Sequence, residues 1–175
     1  MDRATGLTLL ELLTTLAISA LLTLLASPSL IDYLARKRLH TASAQLHSDL
    51  HHARLTAISG NRRIAVCPGT PARGCLTQSR WAHGWLVFED DNRDRQWQPA
   101  ERLLHSSQAV TPLQVQGNRL ALVFFPNGTA PGSNATLIFC NPQRPQELRE
   151  LRISLSGHIR QLATAAAAPG ACSSP

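Results

Sequence analysis

The sequence contains a single lysine, Lys37, and a single tyrosine, Tyr33, against sixteen arginines. Its positive charge therefore sits almost wholly on guanidinium groups, which stay protonated and grip carboxylate or phosphate through a planar fork. The formal net charge of +6 hints at polyanionic partners. An arginine-rich proteome encoded by a GC-rich genome would give the same composition, so charge alone designates no ligand. The four cysteines, Cys67, Cys75, Cys140 and Cys172, include no CxxC pair, which argues against a cysteine-bound metal. A nucleophile elbow, an HExxH helix, a glycine-rich phosphate loop and a Cys-His pair are missing as well. The residues therefore give no ground for enzymatic activity, a cofactor or a metal.

Charge is scarcest near the start. From Leu7 to Ser27, twenty-one residues carry one formal charge, Glu11. A run of about 20 apolar residues crosses a bilayer as a helix. A secretory signal peptide would show a basic start, a shorter apolar core and a cleavage site after it, whereas "MDRATG" is short and nearly neutral. "SALLTLLASPS" does offer small residues for such a cut, but that reading leaves Glu11 unexplained. A carboxylate within the membrane costs about 2.5–3.5 kcal/mol on insertion scales and is usually kept for a partner. All four cysteines follow this run, as suits a body exported to an oxidising space. Of the three possible pairings, Cys67 with Cys75 and Cys140 with Cys172 is the simplest.

Beyond the apolar run, Leu39, Ala42, Leu46, Leu50, Ala53 and Ala57 recur three or four residues apart and make one apolar helical face. Lys37, Gln45, Ser48 and His52 fall on the other side. One long helix is predicted from Leu7 to about Ser59, kinked near Pro28 and stopped at Gly60-Asn61. After it come short apolar or alternating segments that read as strands: "RIAVC", "GWLVFED", "RLLHS", "LQVQ", "LALVFF", "TLIFC", "ELRISL" and "HIRQLA". "GN" at 117, "PNGT" at 126 and "SG" at 156 are hairpin signals, and no intervening stretch is long enough for a crossover helix. The length suits one domain with an appendage.

Gly6 followed by Leu7, Thr8, Leu9, Leu10, Glu11 and an apolar helix resembles the processing site of type IV pilins and type II secretion pseudopilins. The resemblance implies that prepilin peptidase cuts after Gly6 and methylates the new amino terminus at Leu7, where the family usually has phenylalanine. It also implies that Glu11 pairs with a neighbour's terminal amine during assembly. Within that superfamily, "SLIDYLARKRLHTASAQLHSDLHHARLTAISGNRRIAVCP" and "WAHGWLVFEDDN" resemble the FimT/FimU and GspH group of minor pilins and pseudopilins.

The implied fold is α+β and pilin-like, a long N-terminal helix packed on an antiparallel β-sheet head. Its expected parts are a leader (1–6), a membrane half of the helix (7–28), an exported half (29–60) and a β-rich head with C-terminal hairpin and tail (61–175). The implied partners are prepilin peptidase, other minor and major pilins, and the inner membrane, from which the head would hang in the periplasm before joining an extracellular pilus or a pseudopilus.

FimT proteins of transformable bacteria bind DNA through Gly-Arg-x-Arg near the C terminus, and "GHIR" at Gly157–Arg160 resembles that element with His158 in place of the first arginine. The resemblance makes Arg149, Arg152, His158 and Arg160 candidates for non-specific phosphate contacts to double-stranded DNA, with Leu151, Ile153 and Leu155 expected inward. Ordinary surface charge, moderated by Glu147 and Glu150, is the plain alternative.

Three other patterns read as structural. Asp90, Asn92, Asp94 and Glu101 occupy the first, third, fifth and twelfth positions of an EF-hand-like loop, but Arg95 stands where glycine is required, so a polar turn is expected. Trp81 and Trp85 are expected in the core. The His51-His52 doublet has no third ligand in register, and His40, His47 and His51, which share a helical side, are expected to be solvated. The processing motif yields a direct test: mature protein should begin at N-methylated Leu7 by mass spectrometry, and a start at Met1 or beyond Pro28 would overturn that expectation.

Overall fold

The computed structural model describes residues 8–164, with the backbone alone described at residues 23–29, 145 and 163–164. Helix α1 runs Leu9–Gly60 and contributes to two compact units, Met1–Lys37 and Arg38–Pro175.

In the first unit Thr8 caps the helix, its hydroxyl accepting the Glu11 N–H at 3.3 Å. The hydroxyls of Thr14, Thr15 and Ser19 donate back to the carbonyls of Glu11, Leu12 and Leu16 at 2.9–3.0 Å. These three hydroxyls are thus satisfied within the helix. Its leucines from Leu9 to Leu22 point outward, each at least 50 % exposed. Among the described residues no helix is long and apolar enough to cross a membrane. The expected membrane half, 7–28, lies partly outside the described residues, as do Gly6 and Leu7.

In the second unit the predicted stripe, Leu39, Ala42, Leu46, Leu50, Ala53 and Ala57, is buried throughout. The helix stops as Gly60-Asn61 foretells. Asn61 takes a left-handed φ of 49°, its N–H bonds to Ile58 O, and the Arg62 N–H bonds to Ala57 O at 3.1 Å. This pattern satisfies two terminal carbonyls.

The strands are β1 (Ile64–Thr70), β2 (Gly74–Cys75), β3 (Trp85–Glu89), β4 (Leu103–Ser106), β5 (Gln114–Gly117), β6 (Leu122–Phe124), β7 (Ala135–Asn141), β8 (Arg144–Ile153) and β9 (Ile159–Thr164). All pairings are antiparallel, but they form two sheets rather than one. In the five-stranded sheet β1 is central, paired with β3 along residues 64–68, with β6 along 64–66 and with β2 at 69–70. The four-stranded sheet has the order β5-β7-β8-β9.

This partition corrects two expected hairpins. The turn at Gly117-Asn118 joins β5 to β6, and the turn at Pro126–Thr129 joins β6 to β7, yet β6 lies in the other sheet from both. Each turn reverses the chain while handing it to a different sheet. Of the three expected hairpin turns, the one around Gly157 alone links paired strands, β8 and β9. Strand β8 also starts earlier than "ELRISL" indicates, at Arg144, because the chain turns tightly after Asn141.

Strands β1 and β3 are buried on both faces, which explains their nearly unbroken apolar runs. One face of the five-stranded sheet, with Ile64, Val66, Trp85 and Val87, joins the helix stripe and Leu137, Phe139 and Leu151 of the other sheet in the main core. The opposite face, with Ala65, Cys67, Leu86, Phe88 and Val123, is covered by Cys75, Trp97 and Leu103. The expected Cys67–Cys75 disulfide is present. Cys140 is also disulfide-bonded, and the other expected partner, Cys172, lies outside the described residues. Trp81 and Trp85 are both fully buried, Trp85 with its indole N–H on Asp49 Oδ2 at 2.8 Å.

Leu50 is 0 % exposed at the centre of the stripe. Leu50→Ala is expected to cost about 2–5 kcal/mol of stability, measured by chemical denaturation. A loss below 1 kcal/mol would contradict this packing.

Candidate functional site

Around the β8–β9 hairpin the main chain leaves little freedom. The Ser154 N–H donates to His158 O at 3.0 Å and the Gly157 N–H to Ser154 O at 2.9 Å, with Gly157 at a left-handed φ of 75°. This is a tight turn closed by a glycine bulge. A Cβ at Gly157 would lie 2.0 Å from Gly128 O, so the hairpin tip touches the Pro126–Thr129 turn backbone to backbone. Arg54 of α1 fastens both turns, donating from Nε to Gly128 O at 2.8 Å and from its terminal nitrogen to Ser156 O at 3.5 Å.

Beside this junction lies a groove of about 800 Å³, lined on its polar side by Arg54, Asn118, Asn134, Arg152, His158 and Arg160. No carboxylate lines it. Arg152 and Arg160 are direct cross-strand partners and so share a face of the sheet. Arg152 is bound through two nitrogens by Glu150, two residues back on the same face, which offsets part of its charge. Arg160 makes no ion pair among the described residues. Next to the groove wall, Arg119 donates to Asn134 O at 3.1 Å and to its Oδ1 at 2.9 Å.

Three of the four residues singled out at the C-terminal hairpin thus converge: Arg152, His158 and Arg160. Arg149 does not join them. It pairs across strands with Phe139 and Ala163 and lies on the face of buried Leu151, opposite Arg152. Leu155, expected inward, is 56 % exposed because the strand has ended and the turn begun. Arg54 was missed by the sequence reading. The available signal was its isolation, since it is the one arginine or lysine between Leu39 and Asn61. Its neighbour His51 stacks edge-on against His47, with ring centroids 4.6 Å apart. Burial, then the charges of His47, Arg54 and His158, hold the His51 ring below its ordinary pKa.

The family model for "Type II transport protein GspH" matches residues 42–157. The chain belongs to the GspH family. Its fold is pilin-like. The match includes Arg54 and Arg152, and ends just before His158 and Arg160.

Solved structures share the fold of this GspH-family chain. The type IV minor pilin FimU of Pseudomonas aeruginosa, in two crystal forms, aligns at TM-scores of 0.56 and 0.57 with 23% and 22% identity. Those alignments cover 79% and 77% of this chain and 97% and 99% of FimU. The minor pseudopilin EpsH from the type 2 secretion system of Vibrio cholerae aligns at 0.53 with 15% identity, over 76% of this chain and 98% of EpsH. No curated protein sequence matches the chain.

The EF-hand-like segment forms a second cluster. Carboxylate oxygens of Asp90, Asp94 and Glu101 lie within 4.8 Å of one another. Arg95 takes the left-handed backbone, φ 63°, that this position requires, and its N–H donates to Asp90 Oδ1 at 3.1 Å. The Arg63 guanidinium lies 2.9 Å from Asp90 Oδ2 and offsets its charge, while Glu101 Oε2 accepts the Gln98 N–H at 3.1 Å. The polar-turn expectation and the acidic cluster therefore describe the same loop.

Burial pushes the Glu101 carboxyl above its ordinary pKa; the Gln98 and Asn92 N–H groups oppose that shift, and the Asp94 and Asp90 charges add to it. An acid so shifted holds its proton more tightly folded than unfolded. Its ionisation therefore lowers stability as pH rises from the ordinary carboxylate value to the raised one, and the loss persists above that window. Glu101→Gln is expected to raise the thermal midpoint at pH 7 and to flatten its dependence through the weakly acidic range. A lower midpoint at pH 7 would contradict the assignment.

Proposed function

We propose that this GspH-family chain is a minor pilin of a type IV pilus. Prepilin peptidase cuts after Gly6 and methylates Leu7, the apolar half of α1 anchors the product in the inner membrane, and the head faces the periplasm until assembly. With other minor pilins it primes the filament, and Glu11 docks on a neighbour's terminal amine. The outward leucines between Leu9 and Leu22, with hydroxyls turned back onto the helix, support a stretch that meets lipid and then other helices.

On the filament the head holds double-stranded DNA for uptake in natural transformation. The observation that carries this reading is the convergence of Arg54, Arg152, His158 and Arg160 on one groove without a carboxylate in its wall. Such a surface grips phosphate without reading sequence. A second reading, a GspH-type pseudopilin of a type II secretion system, draws on the family model's description. Deleting the gene separates the two, since the first reading expects lost piliation with normal secretion and the second the reverse.

For the DNA role, the detergent-solubilised full chain is expected to bind a labelled duplex at low salt, with affinity falling steeply as salt rises. Arg160→Ala should weaken binding to all sequences alike and reduce the salt slope by about 1. Unchanged binding by this variant would sink the DNA role and leave the pilin assignment standing.

A further inference from the structure

The disulfide loop builds another cationic concavity. Within the loop closed by Cys67–Cys75, the Arg73 N–H bonds to Thr70 O at 3.0 Å and Gly74 completes the turn at a φ of 69°. The chain then returns, with the Arg80 N–H on Gln78 O at 2.7 Å, into the 3-10 turn Trp81–His83. These two segments frame a pocket of about 200 Å³ lined by Leu76 and, on its polar side, by Thr70, Arg73, Thr77, Gln78, Arg80 and His83.

The formal charge of its lining is of one sign. No carboxylate lines the pocket, and neither Arg73 nor Arg80 makes an ion pair among the described residues. Two permanent cations share a small space with hydroxyls, an amide and an imidazole, all able to donate hydrogen bonds. Their mutual repulsion is relieved by an anion, and the donor set suits a tetrahedral oxyanion.

A hydrogen-bonded junction links the segment that lines the pocket to the segment that lines the groove. Ser79, between Gln78 and Arg80, donates its hydroxyl to Gly117 O at 2.6 Å, with Arg119 O at 3.2 Å. Asn118, between those two carbonyls, lines the groove. The buried Trp81 indole holds this junction, its N–H reaching Ser79 Oγ at 3.1 Å and Arg119 O at 3.2 Å. Arg119 itself is exposed; its carbonyl meets Ser79 beside the pocket, and its guanidinium meets Asn134 of the groove wall.

We propose that this pocket is a second phosphate site, and that a nucleic-acid backbone held in the groove continues past Arg119 into it. The proposal rests on the DNA reading above and extends its footprint from the C-terminal hairpin to the disulfide loop. Arg73 and Arg80 hold phosphate, and the disulfide keeps Arg73 in place.

The test measures duplex binding by the detergent-solubilised full chain across salt concentrations. The double variant Arg73→Ala/Arg80→Ala is compared with Arg160→Ala and with Arg93→Ala/Arg95→Ala, which removes the same charge from the acidic loop. The pocket variant should lower the salt slope by about 2, one for each phosphate contact, while the loop variant changes it far less. If Arg160→Ala weakens binding and the pocket variant behaves like the loop variant, the second site is wrong and the DNA role stands. If the wild type binds no duplex, inorganic phosphate decides. A rise in thermal midpoint with phosphate that disappears in the pocket variant supports the site, and an equal response in both proteins overturns it. Unaltered circular dichroism of the variants excludes misfolding as the cause.

Discussion

The head depends on one constraint, that the helix stripe from Leu39 to Ala57 must be kept from water. Neither sheet could stay folded against solvent alone, since both present an apolar face, and the stripe joins those faces in one core. Alternation does the rest. Once Val66 and Val87 turn toward the helix, Ala65, Cys67 and Phe88 must turn away, which creates the second core under Trp97 and the disulfide.

Polar clips then fix orientation, which apolar burial leaves loose. Asp49 accepts the Trp85 indole N–H and lies 3.5 Å from His105 Nε2, tying α1 to β3 and β4. Farther along the helix, Arg54 ties the tips of two turns. Both groups sit beside the stripe rather than in it, so each forms its bonds at the core's margin with part of its surface still hydrated. That position avoids the heavy cost of burying an isolated charge.

Much of this was legible in the sequence because periodicity reports burial. The stripe, the helix stop at Asn61 and the doubly buried strands all follow from spacing or from unbroken apolar runs. Sheet membership was not legible, because "GN" and "PNGT" encode a reversal of direction and say nothing of which strand receives the chain. Arg149 is different, for it stands three positions before Arg152 and alternation in a strand already places the two on opposite faces. Arg54 illustrates the real limit. Its partners are 74 and 102 residues away, and no local pattern encodes such a meeting.

Strand β9 is the outermost member of the four-stranded sheet as described, and Arg160 stands in its first half. An end strand offers unpaired backbone groups to any passing strand, and a permanent cation there discourages such annealing. A neutral residue in place of Arg160 would leave that margin with one charge fewer against edge-to-edge pairing.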